Sequence, residues 1–570
     1  MEILKHAEKR TYGAIVIGSG IAGGWAAKEF CDKGIKTLVL ERGRKVTHNE
    51  DYPTTLMSPW EFEHRGRLTN EEIAANPIVS KCYAFREDAK HFMVKDAEHP
   101  YEQDKPFDWI RGYQVGGKSL LWARQTQRWS QLDFDGPARD GFATPWPINY
   151  KDIDPWYSYV EHFAGISGNK DGLDSLPDGD FLPAYELTCV EKHFQTEMKK
   201  HYNDRHVIVA RCAHLSEPRE IHYQQGRGRC MSRNLCQRGC PYGGYFSSNA
   251  STLPWAAKTG NMTLRPDSIV ESIIYDEKKG RATGVRVIDA HTNEMVEYYA
   301  KVIFVTAAAL NTNALLLNST SHRFPNGLGN DSGVLGKYIA FHNYRASLSA
   351  EYEGYLDTKT EGARPTSGYV PRFRNLYKQE TNFLRGYAAG MSAGRGTHAD
   401  RESLGESLKH SLLNPKLNAN WYAGSHMMGE TIPKESNQIR LDPIKKDAHG
   451  LPIMHMDVSY DENDDKMVQD FIDQFSEMYH KAGFKNIRTR DTKQAPGLDI
   501  HEMGGVRMGA DPKTSMLNKW NQMHEVKNVF VTDGACMTST STQNPSLTYM
   551  ALTARAVDYA VREMKKGNLA

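Results

Sequence analysis

A glycine-rich loop near the start of the chain has the residues and the setting to bind a dinucleotide. Residues 18–23 read GSGIAG, follow the apolar run 13–17 and precede an alanine-rich stretch that Gly34 ends. In this order of strand, loop and helix, the glycines let the backbone approach a pyrophosphate at a helix N-terminus, where free amides favour negative charge. Glu41 ends the next apolar run, about 20 residues further on, where an acidic side chain accepts hydrogen bonds from a ribose. The loop predicts a dinucleotide cofactor and by itself leaves NAD open as well as a flavin.

A second group that could do chemistry is a cysteine trio in a loop rich in glycine and arginine. Cys230, Cys236 and Cys240 are separated by five and three residues, and proline follows the last of them. Thiolates on a flexible turn can ligate iron, although an ordinary four-iron cluster takes four local cysteines. A fourth ligand could come from Cys212, further upstream, or from His222, which would complete a structural zinc site. The spacing alone leaves an iron–sulfur cluster, zinc, and buried or disulfide-linked cysteines without metal as alternatives.

The composition and charge give no support to several classes of protein. At 570 residues the chain is too long for one ordinary core, so we expect two or more interleaved domains. The net charge of +1 gives no basis for binding nucleic acid or an acidic membrane surface. No run reaches about 18 apolar residues, so we expect no transmembrane segment, and the polar first residues show no secretory signal. The eight cysteines are too unevenly spread for a disulfide framework.

The predicted elements that must position these groups have a discontinuous layout. Paired glycines recur at 116–117, apolar strand-like runs lie at 302–305 and 528–531, and 340–495 contains alternating patterns typical of antiparallel strands, with a helix near 462–482. The predicted fold class is α/β and α+β, with a Rossmann-type nucleotide-binding domain interleaved with a domain built on a mostly antiparallel sheet. The predicted boundaries are 10–50, 106–145, 225–335 and 496–570 for the nucleotide-binding domain, 51–105 for a lid or excursion, and 146–224 and 336–495 for the second domain.

Together these motifs resemble the glucose-methanol-choline (GMC) family of flavin oxidoreductases. The resemblance covers nearly the whole chain, and it is carried by the segments 18–23, 116–117, 146–148, 307–309, 333–342 and 501–544. It is strongest toward the branch that holds pyranose 2-oxidase and the bacterial FAD-dependent glucose dehydrogenases and glucoside 3-dehydrogenases. The resemblance implies the GMC fold, in which the Rossmann-type domain binds FAD and the antiparallel-sheet domain binds the substrate.

The resemblance also implies which residues contact an extended FAD. Glu41 is expected near the adenosine ribose, Gly116 and Gly117 beside the isoalloxazine, and Asp533 on the ribityl and pyrophosphate side. Pyranose 2-oxidase attaches its flavin to a histidine, and Leu121 stands at that position here, so non-covalent FAD is expected. The predicted cofactor-binding residues are Gly18, Gly20, Ile21, Ala22, Gly23, Glu41, Arg42, Gly116, Gly117, Ser119, Val270, Ala307, Asp533, Gly534, Asn544 and Ser546.

The catalytic pair implied by the resemblance is His501 and Asn544. Oxidising an alcohol requires a base for the hydroxyl proton, and an imidazole with a pKa near the working pH suits that role. His501, in the sequence HEMGGVRMG, matches the family's catalytic histidine, and Asn544, in QNPSLT, matches its polar partner. A neutral amide can hydrogen-bond the substrate oxygen and fix its orientation. His342, His426 and His455 are predicted to be ordinary structural or surface histidines.

For the cysteine trio, the resemblance implies a 3Fe-4S cluster of the kind found in catalytic subunits of bacterial FAD-dependent glucose dehydrogenases. Arginines around it would stabilise an anionic cluster, and they are Arg227, Arg229, Arg233 and Arg238. A cluster near the flavin implies a dehydrogenase that exports electrons singly, with a c-type cytochrome as the acceptor. Family members of this kind often travel with a small accessory subunit that carries the export signal. The expected location is therefore the bacterial periplasm, with the cytoplasm as the alternative.

The sequence therefore predicts an FAD-dependent sugar dehydrogenase. The expected substrate position is a secondary ring hydroxyl of glucose or a glucoside, with carbon 3 as the leading choice. A pyranose or glycoside oxidase that passes electrons to oxygen is the first alternative. A non-catalytic flavin-fold binding protein is the second alternative, and the presence of both His501 and Asn544 argues against it.

Overall fold

The computed structural model describes residues 10–358, 364–398, 402–413, 416–417 and 420–569, and the fold is mixed α/β. The strands are β1 Thr11–Ile17, β2 Thr37–Leu40, β3 Glu102–Gln103, β4 Ile166–Ser167, β5 Phe181–Leu182, β6 Ile208–Val209, β7 Met262–Arg265, β8 Ser268–Asp276, β9 Arg281–Asp289, β10 Met295–Val305, β11 His342–Asn343, β12 Ala346–Tyr352, β13 Gly368–Val370, β14 Tyr387–Gly394, β15 Thr397–His398, β16 Lys416–Leu417, β17 Trp421–Glu430, β18 Gln438–Lys446, β19 Pro452–Asp457, β20 Lys485–Asp491 and β21 Val529–Val531. The α-helices are α1 Ile21–Asp32, α2 Asn70–Ala75, α3 Gln131–Asp140, α4 Tyr150–Ala164, α5 Cys189–His201, α6 Glu220–Gln224, α7 Thr252–Lys258, α8 Ala309–Asn318, α9 Gly405–Leu413, α10 Glu462–Lys481 and α11 Ser546–Lys565. None of these helices has the length and apolar character needed to cross a lipid bilayer.

The glycine-rich loop lies at one edge of a seven-stranded sheet. The strand order is β7-β2-β1-β10-β9-β8, and β21 pairs with the last residues of β10. β1 is parallel to β2 and β10, and β21 is parallel to β10, whereas β8 and β9 form an antiparallel pair. Because parallel strands end at the same edge, the 18–23 loop, Thr306 and Asp533 meet there. Ligands of such sheets bind at this carboxyl edge.

Helices pack against the parallel part of this sheet. Every residue of β2 is buried, as expected for a strand covered on both sides. α1 begins directly after the loop, with Gly20 as its N-cap, and packs against α7 and α11. Trp25 of α1 is fully buried, and its ring centroid lies 5.3 Å from that of Phe163 in α4. The first-turn amides of α1 therefore face the loop, where they favour an anion.

The second domain is built on an antiparallel sheet, so the predicted fold class is confirmed. Its strand order is β20-β12-β17-β14-β13-β6, and β11 pairs with the end of β17. The helix predicted near 462–482 is α10, and the side chain of Asp461 caps it by accepting hydrogen bonds from the amides of Asn463 and Asp464. Residues of α10 at helical spacing pack into the core beneath the sheet, namely Met467, Val468, Phe471, Phe475, Met478 and Tyr479. The domain boundaries given above stay predictions.

Residues 51–105, predicted to be a lid or excursion, contain α2, β3 and several short turns, and they contact both the cysteine loop and the large cavity. Thr55 Oγ1 donates to the carbonyl of Gly239 at 2.8 Å, and the Arg238 guanidinium donates to the carbonyl of Met57 at 2.8 Å. Arg238 also pairs with Asp88 at 2.8 Å. Further along, residues 82–84 line the large cavity described below. One part of the excursion therefore holds the cysteine loop, and another part forms a wall of that cavity.

Candidate active site

A large cavity contacts both domains and contains most of the predicted site. Tyr344 and Met428 line it from the second domain, and His501 also lines it. Of the predicted cofactor-binding residues, all except Gly23 and Gly116 line this cavity. Those that do are Gly18, Gly20, Ile21, Ala22, Glu41, Arg42, Gly117, Ser119, Val270, Ala307, Asp533, Gly534, Asn544 and Ser546. Residues far apart in the chain therefore meet around one space.

Each of the three glycines in the loop is suited to its position for a different steric reason. Gly18 has a φ of +96°, and a Cβ there would lie 2.5 Å from the carbonyl oxygen of Thr306. A Cβ on Gly23 would lie 2.0 Å from the carbonyl oxygen of Gly18, so this glycine permits close helix packing behind the cavity. A Cβ on Gly20 would have no neighbour within 4 Å, which leaves the backbone open to a ligand. These are the three glycine roles of a pyrophosphate-binding loop, so the loop fits a dinucleotide such as FAD.

Ser19 and Glu41 tie this loop to the neighbouring segments. The amide and hydroxyl of Ser19 donate to Glu41 Oε2 at 3.1 and 2.6 Å, and the Gly43 amide donates to Oε1 at 3.0 Å. The Gly116 amide donates to Ser19 Oγ at 2.9 Å, so Gly116 supports the loop from behind. Burial raises the pKa of Glu41, while these donors oppose the rise. A carboxylate can accept about four hydrogen bonds, so Glu41 retains acceptor capacity for a ribose.

His501 and Asn544 lie together in the structure. Asn544 Nδ2 is 3.2 Å from His501 Nε2. His501 follows Ile500, whose left-handed backbone has a φ of 65°, and Asn544 lies just before α11. Both residues line the same cavity as the glycine loop. The arrangement therefore places an imidazole and an amide next to the space that a cofactor and substrate would share.

The surroundings of His501 keep its imidazole neutral. Burial lowers the pKa of His501 well below 6.5, and the neighbouring His342 ring and the charge of Lys118 lower it further. Lys118 in turn forms an ion pair with Glu502 at 3.1 Å. Because the pKa is lowered, the unprotonated form persists across neutral and mildly acidic pH. A neutral imidazole is the form that can accept a proton from an alcohol.

His342, predicted from the sequence to be an ordinary histidine, lies directly against His501. The Nδ1 atoms of the two rings are 2.9 Å apart, and His342 Nε2 is 2.6 Å from the carbonyl oxygen of Ser541. His342 begins β11 and pairs with Glu430 of β17. The only sequence signal was its place at the end of the 333–342 segment of the resemblance. Nothing in the local sequence indicates a contact with His501.

The other two histidines have partners outside the catalytic pair. The ring of His426 stacks on that of Tyr344 with centroids 5.9 Å apart. His455 contacts the carboxylates of Asp104 and Asp442 at 3.0 and 2.7 Å. In the described part of the chain, neither residue is grouped with other side chains at metal-ligand spacing.

Asp499 joins His342 and His501 in a small ionisable cluster. Among the described residues, these three offer ligand-type atoms within 4.8 Å of one another. Asp499 Oδ2 lies 3.9 Å from His342 Nδ1 and 4.0 Å from His501 Nδ1, which is too far for a hydrogen bond. The direct contact is instead the one between the two rings. Burial raises the pKa of Asp499 to about 7.

The three cysteines line a second, smaller pocket. Cys230, Cys236 and Cys240 all contact it, and none of the eight cysteines forms a disulfide, so the disulfide alternative is wrong. Within the part of the chain that the structure describes, the trio does not have its sulfur atoms within 4.8 Å of one another, as ligands of a single ion would. His222 accepts a hydrogen bond from the Arg219 amide at 2.8 Å and does not line the pocket, so the proposed zinc site is wrong too. A multi-iron cluster binds each thiolate through a different iron and tolerates wider spacing.

Buried polar groups without partners either line the cysteine pocket or interact electrostatically with its cysteines. Both ring nitrogens of His214, Nε and Nη1 of Arg124, and Nη2 of Arg227 are buried with no hydrogen-bond partner. His214 lines the pocket, and the charge of Arg124 opposes the burial that raises the pKa of Cys236. A buried polar group left unpaired costs about 1–3 kcal/mol. These groups therefore fit a site for an anion with acceptor atoms, such as sulfide.

The predicted arginines divide between two roles. Arg227 is buried, and its guanidinium contacts the ring of Phe246 and the carbonyl of Gly243. Arg233 and Arg238 bind carbonyl groups of the 51–105 excursion, so they anchor the cysteine loop to it. Arg229 is exposed. The buried charge of Arg124, which the sequence analysis missed, carries no local signal because it lies far from the cysteines in the chain.

Comparison with known proteins gives a consistent result along the chain. Residues 14–342 and 433–553 match the N-terminal and C-terminal models of the GMC oxidoreductases. A 2-methyl-1,2-propanediol dehydrogenase from Mycolicibacterium austroafricanum is 30% identical, with 96% of this chain and 95% of that protein covered. The fructose dehydrogenase large subunit of Gluconobacter japonicus is 24% identical, with 97% and 98% covered.

The fold of the chain is also similar to that of a solved structure. A formate oxidase from Aspergillus oryzae, studied for the effect of a mutation on its FAD, superposes with a TM-score of 0.60 at 12% identity, over 99% of this chain and all of that one. The chain therefore belongs to the GMC oxidoreductase family, as an FAD-dependent enzyme that acts on CH–OH groups of alcohols or sugars.

Proposed function

We propose that this enzyme is a sugar dehydrogenase that oxidises a secondary ring hydroxyl of glucose or a glucoside, with carbon 3 as the leading position. The observation that carries the proposal is the neutral His501 held beside Asn544 in the cavity of the glycine loop. The fructose dehydrogenase relative supports a sugar as the substrate class. The choice of carbon 3 rests on the resemblance to glucoside 3-dehydrogenases.

In the proposed chemistry, the alcohol loses a hydride and a proton, and a different group accepts each of them. FAD, when bound along the glycine loop, supplies the acceptor for the hydride of the carbinol carbon. His501 Nε2 takes the hydroxyl proton, so the C–O single bond becomes a carbonyl as the substrate loses two electrons and two protons in total. Asn544 has a second amide hydrogen that can donate to the substrate oxygen and hold it in place. His501 then returns the proton to solvent.

Non-covalent attachment of the cofactor is the first part of the proposal that can be tested. Leu121 is buried, lines the cavity, and offers no atom that could bond to a flavin. We expect acid or heat denaturation to release all the FAD into the supernatant, measured by its absorbance after centrifugation. Yellow colour that stays with the precipitated protein would show a covalent bond instead.

We further propose that Cys230, Cys236 and Cys240 hold a 3Fe-4S cluster, whose chemistry is one-electron transfer. The unpartnered ring nitrogens of His214, which lines this pocket, support an anionic occupant, as does the charge of Arg124, which opposes the rise in the pKa of Cys236. Arg124 and Tyr83 support its position beside the flavin, since both line the large cavity and both lie close enough to Cys236 to interact with it electrostatically. Loss of electrons through this pocket distinguishes a dehydrogenase from an oxidase.

The partner and the location follow from the electron path. We propose a c-type cytochrome as the acceptor and a small accessory subunit that directs export to the bacterial periplasm, with the cytoplasm as the alternative location. The relative from Gluconobacter japonicus is a large subunit, which supports an assembly with a smaller one. The pyranose or glycoside oxidase stays the alternative within the family. The family assignment removes the non-catalytic alternative.

Product analysis tests the substrate and the ring position. Purified enzyme is incubated with methyl glucoside and an artificial one-electron acceptor, and the product is examined by carbon NMR. We expect a 3-keto glycoside, since carbon 3 is the proposed position. The hydroxyl at carbon 1 is blocked in this substrate, so no lactone can form from it. A matched incubation with free glucose separates the alternatives, since oxidation at carbon 1 would give a lactone. A 2-keto product or a lactone would contradict the assignment to carbon 3.

A further inference from the structure

A chain of hydrogen bonds runs from the backbone through His342 and His501 to Asn544. The Ser541 carbonyl oxygen is 2.6 Å from His342 Nε2, and His342 Nδ1 is 2.9 Å from His501 Nδ1. His501 Nε2 is 3.2 Å from Asn544 Nδ2. Each imidazole uses both ring nitrogens, so the position of every proton in the chain depends on its neighbours.

Valence fixes the direction of the whole chain. A carbonyl oxygen can only accept, so His342 Nε2 must carry a hydrogen. Burial lowers the pKa of His342 to about 4, so its ring is neutral and its Nδ1 is an acceptor. His501 Nδ1 must then carry the hydrogen between the rings. Since His501 is neutral as well, its Nε2 carries the lone pair that accepts the hydrogen bond from Asn544 Nδ2.

We propose that His342 is a positioning residue that holds His501 in the tautomer with its proton on Nδ1 and its lone pair on Nε2. The proposal rests on the assignment of His501 as the base in the proposed function. Nε2 is the atom beside Asn544 in the cavity, so this tautomer presents the basic atom to the substrate. In the other tautomer that atom would carry a hydrogen and could not accept a proton.

The position of Asp499 excludes the simplest alternative, in which a carboxylate orients the histidine. Asp499 Oδ2 accepts a hydrogen bond from the backbone amide of His342 at 2.9 Å. The same oxygen is 4.0 Å from His501 Nδ1, so it cannot replace the ring of His342 as the acceptor. His342 itself is fixed by the pairing of β11 with β17. The orienting contact is therefore made by a neutral ring on a sheet strand.

Two substitutions at the same position separate orientation from packing. His342→Leu keeps an apolar side chain of similar size and removes the acceptor for His501 Nδ1–H. His342→Gln keeps a donor for the Ser541 carbonyl and an acceptor for His501. In stopped-flow measurements of flavin reduction by sugar, we expect the leucine variant to be slower by about tenfold or more at saturating sugar, with an unchanged dissociation constant for the sugar. We expect the glutamine variant to recover most of the rate.

A second buried histidine provides the matched control. His222 is buried and hydrogen-bonded but does not line the cavity, so His222→Leu should leave the rate of flavin reduction unchanged. FAD content and the melting temperature of each variant report on folding. A leucine variant of His342 that folds and reduces its flavin at the wild-type rate would overturn the proposal.

The tautomer can also be read without any turnover. Nitrogen NMR of the enzyme labelled at histidine, without substrate, should show His501 protonated at Nδ1 and unprotonated at Nε2, with its signals assigned by their loss in His501→Ala. A His501 protonated at Nε2 would overturn the proposal, even where the leucine variant fails to fold. If His501→Ala reduces its flavin normally while the Nδ1–H tautomer is seen, the proposed function fails and the inference about His342 stands.

Discussion

Replacing His501 by alanine is expected to slow flavin reduction by about 100-fold or more while FAD stays bound. The reason is the loss of the base, because His501 is the neutral group whose unprotonated Nε2 lies beside Asn544 at the cavity. The hydrogen bonds described above for the glycine loop and Glu41 do not involve His501, so the fit to the cofactor should be unaffected. The expected result is an enzyme that is yellow and folded but nearly inactive.

Anaerobic stopped-flow spectroscopy measures this result directly, as the rate at which sugar bleaches the flavin. His455→Ala is the matched control, since this ring lies between Asp104 and Asp442 and does not line the cavity. The control should bleach at the wild-type rate. An unchanged rate in His501→Ala would show that His501 is not the base. The proposed function would then lose the observation on which it mainly rests.

Replacing Cys236 by serine is expected to abolish turnover with a cytochrome acceptor without slowing flavin reduction. A serine cannot supply the thiolate that iron–sulfur clusters require, so the iron content should fall. Cys236 lines the smaller pocket and is absent from the wall of the larger one, so the flavin site should stay intact. A single turnover by sugar should therefore remain, whereas continuous electron export should collapse.

Three measurements decide this prediction: iron and sulfide content, single-turnover flavin bleaching, and steady-state reduction of cytochrome c. Cys189→Ser is the matched control, because Cys189 is a half-buried thiol at the start of α5 that does not line the cysteine pocket. Absence of iron from the wild-type enzyme would contradict the proposed cluster. If the wild-type enzyme turned over fast with oxygen and Cys236→Ser did not change that rate, the enzyme would be an oxidase and the dehydrogenase assignment would be wrong.

The parts of the fold that the sequence predicts are those with strong local patterns. The loop at 18–23 is recognisable because strand, glycines and helix follow one another in the chain, and the structure has them as β1, loop and α1. α10 is predicted almost to the residue because its apolar side chains repeat at helical spacing and Asp461 caps it. The antiparallel sheet is predicted from alternation, although its strand order is not, since pairing joins strands far apart in sequence.

The parts that the sequence misses depend on contacts between distant segments. His342 looks like any other histidine until β11 pairs with β17 and brings its ring against His501. His214 reaches the cysteine pocket, and Arg124 comes near Cys236, only through the folding of intervening chain. His222 is near the cysteines in sequence, yet the short helix α6 directs its ring toward Arg219 and His162. Spacing along the chain therefore suggested His222 as a metal ligand, but in the folded structure His222 does not line the cysteine pocket.

The first sheet is assembled from both halves of the chain, and this has a consequence for synthesis on the ribosome. The last residues of β10 gain a neighbouring strand on their second side only when β21 has paired with them, and α1 is fully covered only when α11 has packed on it. Contacts of such wide sequence separation form slowly, and domains generally fold as units when complete. A nascent chain lacking α11 would leave apolar residues of α1 uncovered. Cofactor insertion must therefore wait until β21 and α11 have been synthesised.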